Sequence, residues 1–402
     1  MKTTAARRRR SDAVMKSGGS YIEGRDEYEC HSEELADARQ QMATTSSKCR
    51  CGVDISLDHK LNEAVLLKKE NKLLAAAEIL EGIDCNYFAP VHHIITKEAG
   101  ILKKILRDCS SNTKDIGWTK RVEKRGKKHF SVESKLKRCQ NNECTDNYDM
   151  LTFRVVTSIE ASMLVPVLAV LNESELFSSW APKFKVPRFG VSKSERLLQL
   201  DRCSQVALLE VDHPWPLGMR EMIVKAIACE DISTSPSRIV SSLQTMDVEN
   251  DGEYGLKILP AKNGKRISME SGIVIEKCPL DHPMRETHSS EEDLALFTFA
   301  TSFQITKNFI VPMRLLNFIL AVFFPRAFEM IFRIGEEVRD GKRRAYREVM
   351  QLKREELYDY LHERVNAMFR QKRESARSLS LAAGTFSDAG VSLDDKTETN
   401  DC

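Results

Sequence analysis

The sequence has no long uninterrupted apolar run. Within its greasiest segment, Phe309 to Ile334, the longest charge-free part is Leu315 to Pro325, flanked by Arg314, Arg326, Glu329 and Arg333. A bilayer crossing needs about 20 apolar residues, so the pattern predicts a partly exposed helix and no span. An excess of one charge is also missing, with 61 Lys and Arg against 59 Asp and Glu in 402 residues. That balance gives no global attraction to nucleic acid, and a polyanionic partner must be met locally. The N-terminal MKTTAARRRRSDAV runs straight into polar sequence, which predicts no secretory leader and a cytoplasmic, reducing setting. The 11 cysteines are dispersed, as free thiols are, and do not outline a disulfide framework.

Catalytic signatures are lacking as well. There is no Gly-x-Ser-x-Gly, no phosphate-binding glycine loop and no His-Glu-x-x-His. Cys49 and Cys51, Cys139 and Cys144, and His92-His93 invite a zinc reading, but the first pair has a single intervening residue where structural zinc sites prefer two to four. Neither a metal nor a cofactor is expected. Asp212-His213 is the nearest approach to an acid–base pair, and neighbours on a strand point to opposite faces. No catalytic residue is predicted.

Residues 1–57 are rich in Ser, Thr, Arg, Glu and Gly with no apolar period, and 376–402 are small, polar and acidic; both read as disordered tails. From 58 to 113 two helical stretches are predicted. One carries Leu61, Ala64, Val65, Leu67, Leu73, Leu74, Ala77 and Leu80; the other, about 90–107, carries Val91, Ile94, Ile95, Ile101, Leu102, Ile105 and Leu106. Their apolar faces need a partner.

The remaining domain, 114–375, opens with strand signals. Leu151, Phe153 and Val155 alternate with polar residues, as do Met222, Val224 and Ala226, and Phe297, Phe299, Phe303 and Ile305 share one face. Asn263-Gly264, between Leu256–Leu259 and Ile267–Met269, predicts a hairpin turn, and local turns of this kind favour an antiparallel meander. A helix over about 161–179 interrupts the strands, a long apolar helix over 313–338 closes them, and a charged helix over 342–371 follows.

Two helices, strands, a helical insertion, a meander and a greasy final helix is the order of the helix-grip fold. Leu171-Asn172-Glu173, Leu176 and Trp180-Ala181-Pro182 resemble the helix and tryptophan turn of the START (steroidogenic acute regulatory protein-related lipid transfer) family. Pro214-Trp215-Pro216-Leu217 with Arg220-Glu221 is similar to the family's turn into the next strand, with Glu221 where Asp is more usual. Phe303-Gln304-Ile305, Val311-Pro312 and Leu316-Asn317-Phe318 resemble its passage from last strand to closing helix, in the form of divergent START-like proteins of unicellular eukaryotes. The resemblance implies an α+β domain whose curved antiparallel sheet wraps a long C-terminal helix, preceded here by a helical hairpin. It implies one lipid or sterol held in an apolar cavity, and no enzyme activity.

On that helix Leu315, Phe318, Ile319, Val322, Phe323, Phe328 and Ile331 form the expected inward stripe; pocket lining and filled core produce the same pattern. The resulting lipid-binding candidates are Arg220, Phe299, Phe303, Phe318, Val322 and Phe323, with Asp201 and Arg202 as further charges able to meet a headgroup. Trp215, Arg343 and Arg344 are the membrane-contact candidates, the last two belonging to a basic cluster that includes Arg339, Lys342 and Arg347. The partners expected are a lipid or sterol, a transient membrane surface and, through 58–108 and 342–371, a protein; a lipid-regulated adaptor and a cyclase or isomerase are the rival readings. No nucleic-acid partner is expected.

Overall fold

The protein is described by a computed structural model over residues 55–370, except 84–88, 110–116, 125–128, 138–147, 214–217, 233–235, 248–251, 262–265, 267, 287, 290–291 and 307–312. The expected tails lie outside the described residues except for 55–57, which open the first helix and so shorten the N-terminal tail reading; Trp215 and Cys49, Cys51, Cys139 and Cys144 also lie outside them.

The N-terminal segment forms α1 (Ile55–Lys69), α2 (Leu73–Ile79) and α3 (Ala89–Cys109). What the periodicity joins as one helix over 61–80 breaks at Asn71, whose φ is 61°. Asn adopts this left-handed conformation more readily than other non-glycine residues. The Asn71 carbonyl accepts a hydrogen bond from the Glu230 amide at 2.9 Å, so the break also ties the helices to the sheet.

Three strands follow, β1 (Thr119–Lys124), β2 (Phe130–Lys137) and β3 (Tyr148–Glu160). The chain then enters α4 (Ala161–Asn172), a 3-10 turn at Ser174–Leu176 and the short α5 (Phe177–Trp180). The meander is β4 (Phe184–Lys185), β5 (Arg188–Asp201), β6 (Ser204–Asp212), β7 (Arg220–Asp231), β8 (Arg238–Met246), β9 (Glu270–Lys277) and β10 (Leu294–Thr306). These make one ten-stranded sheet in the order β1-β2-β3-β10-β9-β8-β7-β6-β5-β4, and its ladders are antiparallel throughout.

The hairpin expected around Asn263-Gly264 does not form between strands: Leu256 to Leu259 belong to no strand, and β9 begins only at Glu270. Instead Ile258 is buried beside Val206, Ile223 and Met246, so this segment packs its side chains on the sheet and does not extend it.

Both faces of the sheet are covered. On one, Ile227, Cys229, Val240, Val274 and Ala300 pack with Leu61, Leu74, Ile95, Leu102 and Ile105, which gives the apolar sides of α1–α3 their partner. On the other, Val155, Ile239, Ile273, Ile275 and Phe297 pack with α4 and with the closing helix. That helix comprises α6 (Met313–Phe318), a π turn at Ile319–Phe323 and α7 (Phe324–Arg339). After it come α8 (Arg344–Leu352), a second π turn at Arg354–Tyr358 and α9 over 359–370.

The greasy helix is not alone in the core. Met163, Leu164, Val165, Val167, Ala169 and Val170 of α4 are all buried, and α4 packs directly on α7. Their close approach needs Gly335, where a Cβ would stand 3.0 Å from Cγ2 of Val167. Tyr346, Leu357, Tyr358, Val365, Met368 and Phe369 from the C-terminal helices complete this cluster. Among the described residues no single helix is long and apolar enough to cross a membrane.

Candidate functional site: a half-open concave face

Cross-strand register identifies the residues that share the face under the closing helix. One row runs Phe153–Thr301–Ser271–Leu243–Ala226–Gln205 and the next Val155–Phe299–Ile273–Ser241–Ala228. The ring of Phe153 lies 4.5 Å from that of Phe324, which places both rows on the α7 side. We call this side concave, because the two edges of the sheet reach the same short segment of helix. At one edge β1 approaches the π turn. At the other, Phe184 and Phe189, on β4 and β5, contact Phe318 at 5.1 and 6.2 Å and Phe323 at 6.2 and 4.6 Å.

The concave face is unevenly filled. Over β3, β10 and β9 it is closed by Phe328, Ile331 and Phe332, with Phe297–Phe328 and Phe299–Phe328 ring distances of 5.9 and 5.5 Å. Over β7 and β8 the two sides differ. The convex side chains Ile227, Cys229, Val240, Ser242 and Met246 are buried, whereas Ala226, Ala228, Ser241, Leu243 and Thr245 on the concave side remain partly exposed. Leu209 on β6 and Met269 before β9 are partly exposed in the same way. The result is a trough of small, aliphatic and hydroxyl side chains, closed by helix on one flank and by the β4–β5 edge on the other.

The candidates from the sequence fall around this trough. Phe299 is half-buried on β10 at the closed flank, against Phe324 and Phe328, and Phe303 lies on β10 in register with Leu151. Phe318 and Phe323 close one end against Phe184 and Phe189, and the Phe189 ring also stands 5.0 Å from His213.

Val322 departs from the expectation: it is 44% exposed, and Leu320 is buried in its stead. The cause is the π turn, in which the Phe324 amide donates to the Ile319 carbonyl, five residues back. A π turn holds an extra residue, so a stripe extrapolated at constant α-helical period changes face there. Pro325, which lacks the amide an α-helical register would use, follows immediately.

Arg220 opens β7 opposite Val211 and alternates with the concave Met222. It is half-buried, and its guanidinium donates to the Met219 carbonyl at 3.4 Å. Beside it, burial above all, and the charge of Arg220, lower the His213 imidazole pKa against the opposing hydrogen bond to the Val211 carbonyl. Asp212 does not act with His213; it receives Arg188 at 3.0 and 3.1 Å.

Asp201 and Arg202 stand at the β5–β6 turn, the opposite end of β6 from Arg220. Asp201 accepts the Cys203 amide at 2.9 Å, and Arg202 stacks on Tyr360 at 4.6 Å. Arg343 and Arg344 lie past the far end of α7 and are each taken up by a carboxylate, Glu337 and Glu348 respectively, at 2.6 Å. Lys342 and Arg339 both engage Asp340, so the expected basic cluster is largely neutralised.

Sequence reasoning missed the polar bolt beside the trough. Glu173, 1% exposed at the end of α4, accepts from Tyr358 Oη at 2.7 Å, from Lys353 Nζ at 2.9 Å and from Arg196 at 2.8 Å. Burial alone would raise its carboxyl pKa, but hydrogen bonds from Lys353 and Tyr358 and the charges of Lys353 and Arg196 hold it below the usual carboxylate value. Gln205 extends the network, accepting from Arg196 and Ser174 at 2.9 and 3.0 Å and donating to the Asn172 carbonyl at 2.6 Å. Only its position in the Leu171-Asn172-Glu173 stretch marked Glu173; besides the adjacent Asn172, its partners come from elements 23 to 185 residues away.

No protein-family model matches the chain, and no curated protein does. Among solved structures, the crystal structure of human STARD10 is similar at 14% identity and a TM-score of 0.40, covering 65% of this chain and 86% of that one. Human StAR-related lipid transfer protein 5 is similar at 12% identity and a TM-score of 0.40, with 60% and 96% covered. The lipid transfer and protein localization domain of human StarD13 is similar at 13% identity and a TM-score of 0.32, with 62% and 96% covered. With its ten-stranded antiparallel sheet, a helical insertion after β3 and a closing helix gripped between the two sheet edges, this chain has a helix-grip fold of the α+β class.

Proposed function

We propose that the chain binds a single lipid or sterol in the concave trough and exchanges it at a membrane surface, as a carrier or sensor and not as an enzyme. One observation supports this above all others: midway along β7 and β8 the convex Ile227, Cys229, Val240 and Ser242 are buried, while on the concave side Ala226, Ala228, Ser241, Leu243 and Thr245 stay partly exposed between the buried Met222 and Val224 at one end and Ile239 at the other. Protein interiors pack as densely as organic crystals, so a fully filled core would not leave these positions open. An apolar ligand lying on them removes their surface from water at about 25 cal/mol per Å². Arg220, at the trough's end, would meet a polar headgroup, and the Phe318–Phe323 cluster is the natural gate, since it rests on ring contacts with Phe184 and Phe189.

Native mass spectrometry of the full chain after incubation with a broad panel of phospholipids, fatty acids and sterols tests this. One bound lipid per chain is the expected result; apo mass alone across the panel overturns it.

A further inference from the structure

We infer that the β4–β5 hairpin is a docking tip for an anionic bilayer and that it is built onto the gate of the trough. This rests on the reading of the trough as a lipid site for its purpose, but not for its geometry.

The hairpin turns through Val186 and Pro187. Val186 is 92% exposed, the most exposed of the large hydrophobic residues among those described. Lys183, Lys185 and Arg188 surround it and are all exposed. Arg188 is satisfied by Asp212 at 3.0 Å, whereas neither lysine has a carboxylate within ion-pair distance among the described residues. The same residues border a groove of about 380 Å³ whose sole acid is Asp212. The patch therefore carries two uncompensated cations around a protruding aliphatic side chain. A water-soluble partner gains little from Val186, while a bilayer with anionic headgroups accommodates both features, taking the side chain into the interface and the ammonium groups at the phosphate level.

What lies behind the tip gives the docking a consequence. Phe184 and Phe189 flank the turn, and their rings grip Phe318 and Phe323, the residues that end the trough. Arg314 and Asn317 on α6 and Val322 on the π turn are exposed on the adjoining segment. Seating the hairpin in a membrane thus acts on the same aromatic contacts that must part for a lipid to pass. Arg343 and Arg344, at the other end of α7, are already paired and are not part of this surface.

The test is sedimentation of the full chain with phosphatidylcholine vesicles, with and without phosphatidylserine, for the wild type, K183Q/K185Q, V186D and R343Q/R344Q. Each cation near an anionic surface contributes about 1 kcal/mol, so K183Q/K185Q should weaken partitioning to the anionic vesicles roughly 30-fold. V186D should weaken it comparably, and R343Q/R344Q should bind as the wild type does. Lys183, Lys185 and Val186 are exposed, so unchanged thermal midpoints are expected for K183Q/K185Q and V186D and confirm folding. Absence of wild-type binding to anionic vesicles, wild-type binding by K183Q/K185Q, or an equal loss in R343Q/R344Q overturns the proposal. Lipid loading from solution, read by native mass spectrometry, should be unchanged in K183Q/K185Q. A wild type that docks but never loads would sink the trough reading and leave the docking surface standing.

Discussion

Gly272 of β9 runs directly beneath Ile105 of α3: a Cβ on that glycine would stand 2.7 Å from the isoleucine's Cδ1. The absence of one carbon lets α3 lie on the convex face and seal it, so the open side of the sheet is the other one.

Gly272→Ala should therefore overpack this contact. A loss of about 1–3 kcal/mol is expected, read as a lower denaturant midpoint at unchanged slope. The site lies on the face away from the trough, so lipid uptake by the folded fraction should be retained.

Glu173 supplies a prediction with a pH signature. Its pKa is held below the usual carboxylate value, so it adds stability that is fully present above the unfolded-state pKa. That stability is lost as pH falls through the lower, folded-state value. Glu173→Gln leaves Lys353 and Arg196 without their carboxylate and should cost about 3–5 kcal/mol at neutral pH. Urea midpoints measured from pH 7 down to about 3 should converge for the two proteins at the acid end; a constant gap would show that the carboxylate's charge does not matter.

The two faces of the sheet predict opposite responses to one chemical change. Ala228 is on the half-open concave side, and Ala300, 2% exposed, is packed against the N-terminal helices. Ala300→Leu should overpack and cost about 1–3 kcal/mol with lipid uptake intact. Ala228→Leu should leave the thermal midpoint of the apo protein near its wild-type value and reduce lipid uptake, because the added carbons occupy the ligand's space. A large fall in midpoint for Ala228→Leu with uptake preserved would mean that this part of the floor is filled core.

Much of the architecture was legible along the chain. Alternation at Leu151–Val155, Met222–Ala226 and Phe297–Ile305 marks β3, β7 and β10, because a half-buried strand needs one apolar face and period two supplies it. The extent of the closing helix was equally plain. The phase of that helix was not: the π turn at 319–323 brings Leu320 inward and turns Val322 out, and no periodicity encodes where a helix takes in an extra residue.

Charge tells the same story from the other direction. Arg339, Lys342, Arg343 and Arg344 look like a cationic patch until folding brings Glu337, Asp340 and Glu348 to them, while Lys183 and Lys185 attract no notice until the hairpin leaves them without an acid among the described residues. The run of residues by itself marked β3, β7, β10 and the main helices and the apolar faces they must bury, because periodicity depends on neighbours one to four positions away. Tertiary structure alone decided which face of the sheet is sealed, which cations stay unpaired and which side chains end the trough, because each of these depends on groups tens to hundreds of residues apart meeting within a few ångströms.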